Sequence, residues 1–385
     1  MLEETDSLFD GLDRRFLDWS SRFAEPLCWA SGMLRYRFVS PLDPGKFDNT
    51  TNKVKEIATR FCIFSSAALA FAFAGTHLLL TSVVIGAASQ IFRVVGFALQ
   101  KNRFTHVKGS AVETPLDRSH ISVLSWDICG EYGGLSYRNG GVVHWRSRLE
   151  KIVEKINAEN PDVIVLQGIH DTALTEALIQ RLPDYAHFFT HMGGSALKNS
   201  NGCMVITKHA VEDFSHTELP HGDSYERFTL KNGLGEPVIR FFATTLQSEG
   251  EDRIKSLSQV IDKLSEEKSV LPTLSTMTNA NLNNPEERDA LSKYFHHSYR
   301  GQDPTSTDQL AMQWDAKCQT SDGKSDLISL VKRTLADGSS LPVLAKVKMD
   351  DCHLVEGFNS QTFDTKTALS NHHGILTEIS WTIQP

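Results

Sequence analysis

The stretch Asn160 to Asp171, NPDVIVLQGIHD, decides the fold. Val163 to Leu166 is an apolar, β-branched run of strand length; Pro161 and Asp162 close an amphipathic helix before it, and Gln167-Gly168 ends it where polar groups begin. Such a run reads as a buried strand. In open α/β sheets ligands gather at the carboxyl ends of strands, so Gln167, Gly168, His170 and Asp171 stand where chemistry is expected. The plain alternative for His170 and Asp171 is a pair of solvated loop residues.

Outward from this strand, short apolar runs alternate with helical patterns. Ile121 to Trp126 reads as a strand, and Trp145 to Ile156 repeats Leu149, Ile152, Val153 and Ile156 on one helical face. Downstream, Thr172 to Leu182 and Ile254 to Leu264 read as helices. Cys203 to Thr207, Val238 to Thr244, Val270 to Leu274, Asp326 to Val331 and Ile375 to Trp381 read as strands. The mixture predicts an α+β fold over residues 118–385: a four-layer α/β/β/α sandwich, two packed mixed sheets flanked by helices.

The N-terminal part differs in kind. Within residues 1–60, Leu8, Leu12, Phe16, Trp19 and Phe23 recur at spacings of three or four, an amphipathic helix suited to a membrane surface, a partner, or the protein's own body. The acidic start MLEETDSLFDGLD argues against a cleaved secretory signal. From Phe61 to Phe92 no residue is charged, and roughly 20 apolar residues span a bilayer, so the run exceeds one crossing. Gly75-Thr76-His77 offers a break between two lobes. With Lys53, Lys55 and Arg60 before the run and Arg93, Lys101 and Arg103 after it, residues 61–99 read as a membrane-inserted helical hairpin with both termini cytoplasmic. A single slanted crossing and a buried helical pair in a soluble domain are the alternatives. The two lobes resemble the bilobed hydrophobic segments of chlamydial inclusion-membrane proteins. Residues 100–117 read as a polar linker.

The full chain of 385 residues is 40% hydrophobic and 22% charged, enough for a large core and an appendage. A net charge of −8 makes tight nonspecific nucleic-acid binding a poor expectation, since that binding rests on clustered Lys and Arg. The six cysteines form no CxxC pair and no close Cys/His set, which argues against a structural zinc site and for a reducing compartment.

Seven short motifs then follow one another: SWDICG (Ser125 to Gly130), PDVIVLQG (Pro161 to Gly168), GCMVITKH (Gly202 to His209), ATTLQS (Ala243 to Ser248), TNANLN (Thr278 to Asn283), SDLISL (Ser325 to Leu330) and SNHHGIL (Ser370 to Leu376). Together they resemble the endonuclease/exonuclease/phosphatase superfamily, the deoxyribonuclease I-like metal phosphoesterases. The resemblance implies attack of water on a phosphate ester, with a divalent cation, usually magnesium, held by carboxylates. It also shows what this chain lacks. The metal-binding Glu of the family's LQE falls on Gly168, the Asp of its GDFN on Asn279, the His of its NTHL on Thr245, and the Asp of its SDH on Asn371. What matches is Asn281, Asp326 and His372, the last two being the family's orienting Asp and catalytic His. Asp127 stands at the first-strand Asn and is the one weak metal ligand left. An amide cannot take a proton at neutral pH, so Asn279 cannot activate water as a carboxylate would.

The resemblance therefore assigns His372, Asp326, Asn281 and Asn279 to the catalytic positions, Gln167 and Asn371 to phosphate binding, and Asp127 to a degenerate metal site. The expected function is a membrane-anchored protein with a phosphoesterase fold and no cofactor, a pseudoenzyme that binds a protein segment or phosphorylated ligand. The alternative is an active magnesium-dependent phosphoesterase acting on a phospholipid, phosphoinositide or nucleic acid. Restoring Glu at position 168 and Asp at 279 and 371 is expected to recover some metal binding.

Overall fold

The structure is a computed structural model; it describes residues 11–38, 50–100, 102–116, 120–130, 144–195, 200–246, 248, 250–266, 273–281, 284–297, 324–331, 348–355, 358–359, 367–368 and 374–380. Two long helices, α1 (Leu12–Phe38) and α2 (Thr50–Leu99), precede the sandwich. The first half of the sandwich contains β1 (Thr105–Lys108), β2 (His120–Gly130), α3 (Leu149–Glu159), β3 (Val163–Ile169), α4 (Thr172–Arg181), β4 (His187–Thr190) and β5 (Met204–Thr207). The second holds β6 (Val211–Glu218), β7 (Ser224–Lys231), β8 (Pro237–Thr245), α5 (Gly250–Glu266), β9 (Thr273–Asn281), α6 (Pro285–Tyr294), β10 (Phe295–His297) and β11 (Lys324–Val331). Then come β12 (Lys348–Val355), the short pair β13 (Phe358–Asn359) and β14 (Thr367–Ala368), and β15 (Gly374–Ser380).

The described strands form a first sheet in the order β1-β4-β5-β3-β2-β15-β12 and a second in the order β10-β11-β9-β8-β7-β6. The strand that decided the sequence reading, β3, is the central strand of the first sheet. Its apolar run is continuous because both of its faces are buried. Ile164 and Leu166 pack with Leu124, Trp126, Ile152, Ile156 and Leu178 beneath α3 and α4. Val163 and Val165 face the second sheet and meet Phe228, Ile239 and Phe241, with the rings of Phe228 and Phe241 stacked at 4.9 Å. Alternate residues of one strand thus serve two cores, as the period of two requires. Helices α5 and α6 form the fourth layer and are joined by the buried Arg253–Glu287 ion pair. The predicted α/β/β/α sandwich is the observed one.

Three expectations change. First, α2 is one helix through Gly75-Thr76-His77, so the predicted hairpin within 61–99 is not formed. A lone glycine costs a helix only about 1 kcal/mol, and the Ala, Leu and Phe neighbours here are no helix breakers. The placement of both termini on one side rested on that hairpin and loses its ground. Second, Thr105–Lys108 lies in the expected linker but is the edge strand β1, with Thr105 opposite Thr190. Third, the strand expected at Val270 to Leu274 begins, in the described residues, at Thr273 and runs to Asn281.

Helix α1 packs antiparallel on the C-terminal part of α2. Phe92 is surrounded by Phe16, Trp19 and Phe23, Ser89 Oγ donates to the Ser20 carbonyl at 2.8 Å, and a side chain at Gly96 would meet Leu17. One face of this amphipathic helix thus packs on the protein's own body, one of the seats foreseen for it. The rest of α2 keeps its apolar side chains uncovered: Phe61, Phe64, Leu69, Phe73, Leu80 and Val84 are all more than half exposed. By length and composition Ala72–Leu99 is apolar enough to cross a membrane.

Candidate functional site

Strands β2 and β3 run parallel, and the last regular pair of their ladder is Asp127 opposite Gln167. Both side chains therefore stand at the carboxyl end of the first sheet, where the sequence placed them. Beyond this pair the register slips, and Gly130 meets Ile169. Two left-handed residues make the slip: Cys129 at φ 54 and Gly168 at φ 73. Only glycine takes such an angle without a steric penalty, which accounts for the residue at 168.

Gly168 has a second constraint. A Cβ built there would lie 2.5 Å from Asp127 Oδ1 and 3.0 Å from Cys129 N. Asp127 Oδ1 itself accepts a hydrogen bond from Cys129 N at 2.9 Å. The carboxylate is folded back onto its own strand, in the space a residue-168 side chain would need. Glu cannot simply be restored at position 168.

Around this strand end the polar groups are mostly committed. Gln167 is buried, its amide nitrogen donating to Ser125 Oγ at 3.3 Å, while its Oε1 lacks a hydrogen-bond partner among the described residues. Arg148 is 1% exposed and donates to the carbonyls of Ile128 and Cys129, both at 2.8 Å. Burial lowers its pKa to about 10, against the opposing pull of Cys129 and Asp127. The guanidinium thus clasps the irregular end of β2 from behind. Asp171 is not a solvated loop residue. At 2% exposure it caps α4 through Ala173 N (2.9 Å) and accepts from Trp145 Nε1 (2.7 Å) and from Ser21 Oγ of α1 (2.5 Å). His170 packs against Gly202.

The second sheet brings its own strand ends to the same edge. Strands β8 and β9 are parallel, and Thr245, opposite Ser224, ends β8. At the end of β9, Asn281 lies opposite Lys324 and Ala280 opposite Ser325; the register then shifts at Asp326 before Leu327 meets Met277. Asn279, Asn281 and Asp326 are thereby gathered at one end of the second sheet by their backbones. Asn371 and His372 lie outside the described residues, just before β15, whose Ile375 stands opposite Ser125. Among the described residues no group of three or more His, Cys, Asp or Glu is placed to hold a metal ion. Of the positions at the described strand end that the resemblance gives to magnesium, Gly168 offers no donor and Asp127 turns Oδ1 to a backbone amide, a poor fit to that ion.

One cluster at this edge escaped the sequence reading. The side chains of Glu226 and His216 are fully buried, with His216 Nδ1 donating to Glu226 Oε1 at 2.9 Å. Asn201, from the loop before β5, donates to the same oxygen at 2.7 Å and to Ser224 Oγ at 2.8 Å, so it ties the first sheet to the second. Cys203 bonds Glu226 and Thr245, and burial raises its thiol well above the ordinary range, keeping it protonated and unreactive. The signal was present: His216 and Glu226 are equidistant from His221, as a hairpin over Val211 to Lys231 requires.

The family model described as "Endonuclease/Exonuclease/phosphatase family" matches residues 124–324. Comparison with curated proteins gives no match. Among solved structures, a humanized D. rerio TDP2 is 18% identical over 68% of this chain and 98% of its own, with a TM-score of 0.48. An endonuclease/exonuclease/phosphatase family protein from Bacteroides thetaiotaomicron is 14% identical over 70% of this chain and 97% of its own, with a TM-score of 0.49. Beta toxin from Staphylococcus aureus is 14% identical over 67% and 99%, with a TM-score of 0.48.

Proposed function

The chain belongs to the endonuclease/exonuclease/phosphatase family, and from that premise we propose that it is a membrane-anchored member whose site binds a phosphorylated group or a protein segment instead of hydrolysing a phosphate ester with magnesium. One observation carries the reading: the strand end where the family resemblance puts the metal carboxylate is Gly168 at φ 73, with Asp127 Oδ1 in the space its side chain would take. A hard divalent ion there would have to rely on neutral oxygens and water, which bind it weakly. Asn279 adds a second loss, since an amide accepts no proton from an attacking water. The site keeps Gln167, Asn281 and Thr245 at its edge, groups that hydrogen-bond phosphate oxygens without a metal.

The anchor rests on α2. Its uncovered apolar length exceeds what a soluble monomer exposes, and the segment is flanked by Lys55, Arg60 and Arg93. Calorimetric titration of the detergent-solubilised chain with magnesium and manganese, run beside assays on phosphodiester and phosphoinositide substrates, tests the site. Weak binding and no turnover are expected. Tight binding, together with magnesium-dependent turnover lost on His372→Ala, overturns the reading in favour of an active phosphoesterase. Carbonate extraction tests the anchor: the protein should remain with the membranes.

A further inference from the structure

Every described site residue lies at one edge of the sandwich, and both N-terminal helices are fixed to that edge. β4 and β3 each pair antiparallel with β5, so β4 runs parallel to β3 and ends, at Thr190, on the edge that carries Asp127 and Gln167. β1 is antiparallel to β4 and starts there. Helix α2 arrives at the same place: Gln100 Nε2 donates to Thr105 Oγ1 at 2.8 Å, and Phe97 packs on Gly194. Helix α1 is tied to it by side chains along two turns and more. Asp13 accepts from Thr105 Oγ1 at 3.1 Å, Arg14 pairs with Glu176, Ser21 bonds Asp171, and Glu25 pairs with Arg146 at the turn before α3. The joint is packed and partly buried, unlike a flexible tether.

The opposite edge differs in character. Its turns carry Glu159, Asn160, Asp184, Lys208, Asn232 and Glu236, with Val112 and Leu234 as isolated exposed apolar side chains and no aromatic ring among them. The helical joint instead presents Trp19 (46% exposed) and Phe23 (44%) beside Phe92, with Arg22 exposed next to them and paired with Asp18 through Nε. Aromatic side chains beside an apolar helix favour the membrane–water interface, and Arg favours its anionic head groups.

We infer that the surface formed by Trp19, Phe23 and Arg22 rests on a lipid bilayer, so that the edge carrying the site is the membrane-proximal edge of the domain. The inference depends on the anchoring reading and adds an orientation to it. The occupant of this surface is the bilayer into which α2 inserts, because the exposed aromatic patch is continuous with the exposed apolar flank of that helix.

The two edges are separated by the length of β7 and β8, roughly 25 Å at about 3.4 Å per residue, a span that energy transfer resolves. The test takes the full chain in vesicles of phosphatidylcholine and phosphatidylserine carrying a lipid-bound acceptor. A donor fluorophore is introduced through an unnatural amino acid at His221 or Glu251 on the site edge, or at Leu234 or Asp184 on the opposite edge. Flotation with the vesicles and at least twofold more transfer from both site-edge labels is the expected result. Flotation with equal or reversed transfer overturns the orientation and leaves the anchor standing. Failure to float overturns both. Using two label positions per edge keeps one disruptive substitution from deciding the outcome.

Discussion

Substituting Gly168 measures how firmly the strand end is committed to lacking a side chain. In Gly168→Ala, an L-residue at φ 73 costs about 1–2 kcal/mol. The new Cβ, 2.5 Å from Asp127 Oδ1, must also drive that carboxylate off Cys129 N, and a bond of this charged type is worth about 1.5–3 kcal/mol when lost. Allowing for the solvent that reaches Asp127, the sum is about 2–4 kcal/mol. For a domain of this size that lowers Tm by roughly 4–16 °C. Urea unfolding of the solubilised chain, followed by near-ultraviolet circular dichroism, reads the change directly. Gly168→Glu should cost at least as much and gain no magnesium affinity. Measured in an Asp127→Ala background, where that bond is already gone and the space is free, Gly168→Ala should cost only the backbone part, about 1–2 kcal/mol. A Gly168→Ala protein within about 0.5 kcal/mol of the parent would refute the reasoning, because it would mean that residue 168 is not left-handed or that Asp127 does not occupy its space.

Other substitutions test the supports of the site. Asp171→Ala removes the α4 cap and the bonds from Trp145 and Ser21 at a 2% exposed position, so a loss of about 2–4 kcal/mol is expected in the same unfolding assay, against about 1 kcal/mol for Ser21→Ala. Arg148→Lys should cost about 2–3 kcal/mol, since one ammonium cannot reproduce the fork that holds the Ile128 and Cys129 carbonyls. His191 is 6% exposed, and burial, with Arg14 adding to it, lowers its pKa to about 4. Its folded value lies below the unfolded one near 6.5, so the neutral ring's stability is fully present above about pH 6.5 and is lost as pH falls toward 4, by about 3 kcal/mol. His191→Asn, a residue that tolerates its φ of 53, should flatten that acid slope; an unchanged slope between pH 6.5 and 4 would show that His191 does not carry it.

The parts of this architecture that could be read from sequence are those whose cause is local. β3 was visible because both of its faces are buried and four apolar residues stand in a row, and α3 because Leu149, Ile152, Val153 and Ile156 repeat on one face. Gln167 and Gly168 followed from the end of β3, while Asp127 came from the family resemblance. What sequence could not show depends on distant partners. β1 is four residues long and is a strand only because β4 lies beside it. Asp171 resembles a loop residue until Trp145 and Ser21 are folded onto it. Gly168 looked like a missing Glu, but the left-handed backbone that makes it more than a deletion belongs to the register slip between β2 and β3. The break expected in α2 failed for a different reason: glycine is a weak signal against a long run of helix formers.

The strand order of the first sheet also bears on how the chain matures during synthesis. β2 is made early, yet one of its two neighbours, β15, comes from far downstream: Ser125 waits for Ile375. Until that segment leaves the ribosome, one side of β2 shows a row of unpaired peptide groups, and such an edge invites pairing with another chain. Helix α2 emerges before all of this. A nascent chain already held at a membrane by that helix would carry its open edge there, at low mobility, through most of translation. Closing the sheet late, across so long a separation in sequence, is slow as well. Release of a chain shortened before Gly374 should therefore yield aggregates in place of a folded remnant, with β2 as the exposed seam.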